Sequence, residues 1–203
     1  MTILVLFHQS QMKTFKDFYL RIAQVYYRSY FPKLLRYNRF VEWTPRTVIP
    51  FMGFFLFTRG ECTRISFIDS MPIKVCRPIR TQRNKVFRGL AQSGKSSMGW
   101  FFGFKLHTII NHKGEIIDVR FSSGNVHDTK MLPPDIQNTF EKSMLSKRVL
   151  IETVFGKLKS WTTIGHSRHP SPRNLLVNLF SVLVSHNKWS KKPKIPTVKP
   201  IAF

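Results

Sequence analysis

The chain has 203 residues, 42% of them hydrophobic and 14% aromatic, which is enough to bury the core of one ordinary domain and excludes disorder by composition. Its 33 Lys and Arg against 10 Asp and Glu give a net charge of +23, so the expected partner is a polyanion, with nucleic acid ahead of a membrane surface or a ribosome. No apolar run approaches the roughly 20 residues of a membrane span. Cys62 and Cys76 share no metal-ligand spacing, and we predict reduced thiols in a cytoplasmic protein.

Aromatic and basic residues dominate the first 60 residues and predict a helical N-terminal region. Between Thr14 and Phe40 they recur at helical intervals, which indicates one or two amphipathic helices broken near Pro32. Residues 44–60 are apolar with interspersed Pro and Gly, and no clean period assigns them to a helix or a strand.

The pattern changes to strands after residue 60. Arg64 to Asp69 predicts a buried strand, and Trp100 to Ile110, rich in aromatic and β-branched residues, predicts a second. Asn111 to Gly114 supplies a turn into a third strand from Glu115 to Ser122, so the last two strands form a hairpin. An antiparallel meander of this kind opens the ribonuclease-H-like α/β fold, and it opens many α+β domains as well.

Helices are predicted for the last third of the chain. Asp128 fits the N-cap of a helix. Ser143 to Lys159 has apolar residues at helical spacing, and Pro172 to His186 predicts a mostly buried final helix. The Lys- and Pro-rich residues 191–203 predict a basic, mobile tail.

Two isolated carboxylates stand out in this cationic sequence. Asp69 closes the first predicted strand, and Glu152, on a predicted helix, is the last acidic residue. Two-metal phosphodiester chemistry needs carboxylates from separate elements that converge on Mg²⁺ ions about 4 Å apart. Two alternatives stay open, because Asp69 can be a turn carboxylate before Pro72 and Glu152 can pair with Arg148 one helical turn away. Arg148 and Lys159 share the helix face of Glu152, where they either hold DNA phosphates or face solvent.

A basic segment follows the first predicted strand. Nine Lys or Arg and no acid lie between Ser70 and Gly114. Five of them lie two or three residues apart beside Phe87: Arg77, Arg80, Arg83, Lys85 and Arg88. We interpret them as a phosphate-contacting loop or arm, with a flexible surface loop as the alternative. Gly89 to Ser96 has the spacing of a P-loop, but no strand is predicted before it and no helix after it, so we predict no nucleotide cofactor there.

Four stretches, in order, resemble a bacterial insertion-sequence transposase of the DDE type, from the ribonuclease-H-like/retroviral-integrase superfamily. They are Phe67 to Cys76, Arg83 to Gly89, Gly99 to His107, and His166 to His169, and the resemblance spans most of the chain from about Tyr37 onward. It implies a ribonuclease-H-like DDE domain over 61–190, after the helical region 1–60, that uses Mg²⁺ or Mn²⁺ to cut transposon ends and join them to target DNA.

The resemblance also implies roles for the two isolated acids. Asp69 would be the first catalytic, metal-binding acid and Glu152 the third. The Arg-(three)-Glu-(six)-Lys pattern of related transposases falls on Arg148, Glu152 and Lys159, although the Tyr expected three residues before that Arg is Leu145 here.

The sequence departs from the family where the second acid is expected. Only 23 residues separate Asp128 from Glu152, too few for the intervening helix, strand and further helices. Asp128 resembles the family's helix start, and Asp135 has no predicted strand to carry it. We predict that the segment with the second acid is deleted, which leaves the core incomplete and the strand of Asp69 as an exposed edge.

These patterns together predict a DDE-type transposase of DNA transposition and recombination whose active site is catalytically defective. A non-catalytic DNA-binding transposase remnant is the alternative, and an unrelated RNA- or ribosome-binding protein is the third class. The predicted partners are transposon-end and target DNA and a second copy of the chain, without a membrane.

Overall fold

A computed structural model describes residues 1–62, 66–97, 99–126, 148–161, 164, 169–190 and 192, with the backbone alone for Arg148 and Trp161. Apart from Lys192, the predicted tail lies outside the described residues. So do Asp128 and Asp135, together with the first three residues of the stretch from His166 to His169.

The described residues form a mixed α/β fold in which helices accompany a four-stranded antiparallel sheet. The helices are α1 (Thr2–Gln9), α2 (Phe15–Phe18), α3 (Tyr37–Trp43), α4 (Val48–Thr58), α5 (Arg148–Trp161) and α6 (Pro172–Lys188). The strands are β1 (Ser66–Cys76), β2 (Gln92–Ser96), β3 (Gly99–Asn111) and β4 (Ile116–Ser123). A π-helical turn covers Tyr19–Ala23, and 3₁₀ turns cover Thr44–Thr47 and Pro78–Arg80.

Most predicted elements are found close to their expected positions. The β3–β4 hairpin and α6 are confirmed with ends shifted by one or two residues, and turns containing Pro32 separate α2 from α3. The apolar stretch that carried no clean period forms a 3₁₀ turn and α4. Strand β2 was not predicted, because its sequence is polar and lacks alternation.

Strand β3 is the centre of the sheet. It pairs with β1 along one side, and on its other side with β2 near its start and with β4 over the rest of its length. The ends of β2 and β4 meet there, and a Cβ atom on Gly94 would clash with the carbonyl of Gly124. Glycine is therefore needed at position 94 for a close approach of two strands, which is a different use from the phosphate cradle of a P-loop.

The prediction that the first strand ends at Asp69 is wrong. Asp69 is the fourth residue of β1, which continues through Pro72 to Cys76. Proline removes one N–H donor, so it is tolerated in a strand where one edge needs no donor. Among the described residues β1 pairs with β3 alone, and this single pairing accommodates Pro72 inside the strand.

The sheet buries one face against the helices. The odd-numbered residues of β1 and the even-numbered residues of β3 point to that face, and they share a hydrophobic core with α5 and α6. The N-terminal helices join the same core, because α1 and α4 both pack on α6 and contribute Leu4, Phe51 and Phe55. A second cluster of aromatic residues packs around Phe18 and Tyr19.

Buried polar side chains form hydrogen bonds between α6 and the β3–β4 hairpin and between α6 and α1. Asn187 at the end of α6 accepts a hydrogen bond from the backbone N–H of Ile116 (2.8 Å) and donates one to its carbonyl (2.9 Å). His186 lies 2.9 Å from the carbonyl of Gly114, and His8 of α1 lies 2.9 Å from the Ser181 hydroxyl. Helix α6 thus makes directional hydrogen bonds to the β3–β4 hairpin and to α1 in addition to its apolar packing.

The described helices were compared in length and apolar character with a membrane-spanning helix. None of them combines the length and the apolar character that crossing a bilayer requires.

Two of the buried histidines, His8 and His186, predict loss of stability in mild acid. Burial lowers the pKa of His8 to about 3, helped by the nearby His169, and burial lowers the pKa of His186 to about 4. In the unfolded chain both rings protonate near the ordinary value of about 6.5. The unfolded state therefore binds more protons below about pH 6.5, and the free energy of unfolding falls by a few kcal/mol per ring as pH drops from about 6.5 to 4.

Thermal unfolding measured from pH 7.5 to pH 4 checks this prediction. His8→Gln keeps a polar group for Ser181 and should reduce the dependence of the unfolding temperature on pH. His112→Gln, at a half-buried turn position, is the matched control and should leave that dependence unchanged. If the unfolding temperature of His8→Gln fell with pH as steeply as that of the wild type, protonation of His8 would not be a cause of the acid destabilisation.

Candidate functional site

Asp69 lies on the core-facing side of β1. It points to the same face of the strand as the buried Phe67, Met71 and Ile73, but Asp69 itself is only half-buried. One carboxylate oxygen accepts the N–H of Ser70 at 2.8 Å. The carboxylate is thus directed to the helix side of the sheet by strand alternation.

Thr108 faces Asp69 directly across the β1–β3 ladder. Residues opposite each other in an antiparallel pair share one face, with Cβ atoms about 5 Å apart. The Thr108 side chain is fully buried, and its hydroxyl has no hydrogen-bond partner among the described residues. Thr108 was not predicted from the sequence, because only the strand register places its unsatisfied hydroxyl beside the carboxylate.

Glu152 lies on α5, the helix that packs against β1. The apolar face of α5 is buried as predicted through Leu150, Ile151, Val154 and Leu158, and Phe155 joins it. Glu152 and Lys159 are exposed at the side of that face. The structure therefore brings the elements of Asp69 and Glu152 together, and the predicted contact of Glu152 with the Arg148 side chain lies outside the described residues.

The remaining described acids do not complete a metal site. Asp118 on β4 pairs with Ile109, one position along from Thr108, so it lies on the opposite face of the sheet from Asp69. Glu115 accepts a hydrogen bond from the Asn111 side chain at the tip of the β3–β4 hairpin. Within the described ranges no group of three or more His, Cys, Asp or Glu residues could hold a metal ion.

Asp69, Glu152 and Thr108 carry oxygen atoms of the kind that bind hard divalent cations. Mg²⁺ prefers oxygen ligands and is often bound by one or two carboxylates, with water in the other positions. Asp69 and Glu152 supply two carboxylates on packed elements, and the unsatisfied Thr108 hydroxyl is a further oxygen beside the first of them.

The basic segment after β1 forms an ordered loop. A 3₁₀ turn and successive backbone hydrogen bonds shape it, and buried Phe87 anchors it through an edge-on contact with Phe104 of β3. The Asn84 side chain accepts the N–H of Phe87 at 3.1 Å. All five predicted DNA-contacting residues of the loop are exposed: Arg77, Arg80, Arg83, Lys85 and Arg88.

A further exposed cation lies on the neighbouring β2–β3 hairpin. Lys95 of β2 is paired across the ladder with Trp100 of β3, whose ring is also exposed. An aromatic ring beside a lysine is an arrangement that stacks on bases and contacts phosphates in single-strand binding proteins. Sequence analysis did not single out this pair, because it did not predict β2.

Replacing Thr108 tests whether its hydroxyl is unsatisfied. Thr108→Val removes a buried polar group and keeps the branched shape, so the free energy of unfolding should rise by about 1 kcal/mol. Thr108→Ser keeps the hydroxyl, removes a buried methyl group and should be destabilising. Denaturant unfolding without divalent metal measures both, and a destabilised Thr108→Val variant would mean that the hydroxyl has a partner in the folded chain.

Comparison with known proteins gives one family. The family model described as "Transposase DDE domain" matches residues 59–142 and 133–172, which together cover more than half of the chain. No curated protein and no solved structure matches significantly. The family match and the antiparallel meander with its helices confirm the predicted fold class, an α/β ribonuclease-H-like core with N-terminal helices. The chain therefore belongs to the transposase DDE domain family.

Proposed function

We propose that this chain is a DDE-type transposase that binds DNA but lacks a complete centre for strand cleavage and transfer. The observation that carries the proposal is the pairing of two elements: β1 with Asp69 on its helix-facing side, and α5 with Glu152, packed against it. A centre for two metal ions needs a further carboxylate on the same face, and the described residues of the sheet offer none there.

Asp69 and Glu152 are the residues proposed to hold Mg²⁺ or Mn²⁺. The metal, when bound, would activate the attacking oxygen and stabilise the leaving oxygen of the phosphodiester. Asp69 would hold its carboxylate on β1, where the ladder with β3 fixes its position. Glu152 would reach the site from a helix whose apolar face is locked into the core.

The form of the family match supports the loss of the second acid. The match consists of two segments that overlap over residues 133–142, inside the stretch between Asp128 and Lys147 where the sequence predicts a deletion. On β4, Asp118 is kept off the Asp69 face by strand alternation, so it is a poor substitute.

DNA binding is proposed for the exposed loop after β1 and for the exposed face of α5. The loop presents five cationic side chains on a backbone fixed by turns, so little conformational entropy is lost when phosphates bind. On α5, Lys159 and Arg148 share the helix face of Glu152. A chain that acts on chromosomal DNA of a bacterium works in the cytoplasm, so that location follows from the proposed function.

A cleavage assay separates the defective transposase from an active one. A supercoiled plasmid carrying the DNA that flanks the gene on both sides is incubated with the chain and Mg²⁺ or Mn²⁺, and we expect no nicking above that of Asp69→Asn. Because one carboxylate is missing, the loss should amount to several orders of magnitude relative to an intact family member. Metal-dependent cleavage that disappears in Asp69→Asn would overturn the proposed defect.

Neutralising the loop tests its part in DNA binding. Arg80→Gln with Arg83→Gln should weaken binding to duplex DNA and lower the slope of log affinity against log salt by about 0.9 for each phosphate that the loop no longer neutralises. The matched control is Arg21→Gln with Arg36→Gln, two exposed arginines of the N-terminal helical region. Equal weakening by both pairs, measured by fluorescence anisotropy at several salt concentrations, would mean that the loop contributes general charge and no specific contact.

A further inference from the structure

Helix α4 carries an exposed apolar stripe that the proposed transposase function does not use. Four large side chains form the stripe, at exposed fractions of 79% for Ile49, 43% for Met52, 57% for Leu56 and 83% for Phe57. Ile49, Met52 and Leu56 recur at the three- and four-residue steps of one helix face, and Phe57 lies beside them, eight residues after Ile49. The opposite face of α4 is buried through Phe51 and Phe55.

A glycine lies in the middle of this stripe. Gly53 is exposed, and a Cβ atom added to it would have no heavy atom within 4 Å. The four neighbouring side chains therefore surround a shallow notch, into which the backbone of another helix can pack closely.

The α4 stripe differs from most of the surface in charge. Helix α4 contains no Lys, Arg, Asp or Glu over its 11 residues, in a chain of net charge +23. A second copy of such a chain is repelled wherever Lys and Arg face each other, and an uncharged apolar face is where two copies can approach. An acidic partner, by contrast, would gain more from the cationic loop after β1.

The size of the stripe also fits a symmetric pair. At about 150 to 200 Å² for a large side chain, the four exposed fractions amount to roughly 400 to 500 Å². This is the size of the largest apolar patch on a typical monomer, and such a patch is often functional. If both stripes were fully buried, two copies would bury about 800 to 1,000 Å², which is the size of a small, weak interface.

We propose that α4 is the surface through which two copies of this chain associate, with the two helices antiparallel and crossing at Gly53. A two-fold axis at Gly53 sets Ile49 of one copy beside Phe57 of the partner subunit, and the reverse. The antiparallel order also places opposite ends of the two helix dipoles next to each other.

Sedimentation equilibrium without DNA tests the association, so its outcome is independent of the proposed DNA chemistry. The wild type should be dimeric, and dimerisation should strengthen with added salt, because screening weakens the repulsion between two cationic chains. Ile49→Lys should give a monomer. The matched control Val25→Lys changes an aliphatic residue that is also exposed, at 64%, but lies off α4, and it should stay dimeric.

Cross-linking tests the arrangement. In a chain with both native cysteines replaced by serine, Gly53→Cys should form a disulfide-linked dimer under mild oxidation, because the axis brings the two copies of position 53 together. Tyr30→Cys, which replaces a side chain exposed at 78%, should not.

Three results would overturn the proposal. One is a wild-type chain that stays monomeric at every salt concentration, and another is equal cross-linking at positions 53 and 30. The third is a monomer that binds phosphatidylserine vesicles and loses that binding in Ile49→Lys more than in Val25→Lys, which would assign the stripe to a membrane surface.

Discussion

The pairing of β1 with β3 is the constraint on which the rest of this structure depends. It fixes Asp69 opposite Thr108 and sends both side chains to the face that the helices cover. A shift of one residue in this register would turn Asp69 to the other side of the sheet and bury the wrong half of β1. The same register decides that Asp118, on β4, faces away from Asp69. The register of β1 on β3 therefore sets the position of Asp69, and α5, which carries Glu152, packs against β1.

The high positive charge of the chain is unevenly distributed over its surface. In a chain of net charge +23, repulsion between Lys and Arg side chains destabilises the compact state. This repulsion is weaker when the cationic side chains point into solvent and away from one another. The basic loop after β1 is shaped by its own turns and by Phe87, so its five cations project outward. The charge-free helix α4 leaves apolar surface exposed on the N-terminal side. DNA binding and self-association are thus proposed for different surfaces, and salt should affect them in opposite directions.

Sequence periodicity was a good guide to local structure where one face is clearly buried. The β3–β4 hairpin and α6 were predicted within one or two residues because alternation and helical spacing are strong in both. Strand β2 was missed because its polar residues are held by pairing with β3 and by the close approach of Gly94 to β4, and neither leaves a hydrophobic pattern. The end of β1 was misjudged because Pro72 is a turn residue in most contexts, and only the single pairing of β1 admits it within the strand.

The sequence by itself determined the family, the two isolated acids and the charge from which a polyanion partner is expected, because charge, spacing and ordered motifs are properties of the chain alone. Tertiary structure decided which groups share a face. It placed Thr108 beside Asp69, turned Asp118 away, packed α5 on β1, and left the α4 stripe uncovered. The physical reason is that register and packing join residues that are distant in the chain, and no local pattern of residues encodes those neighbours.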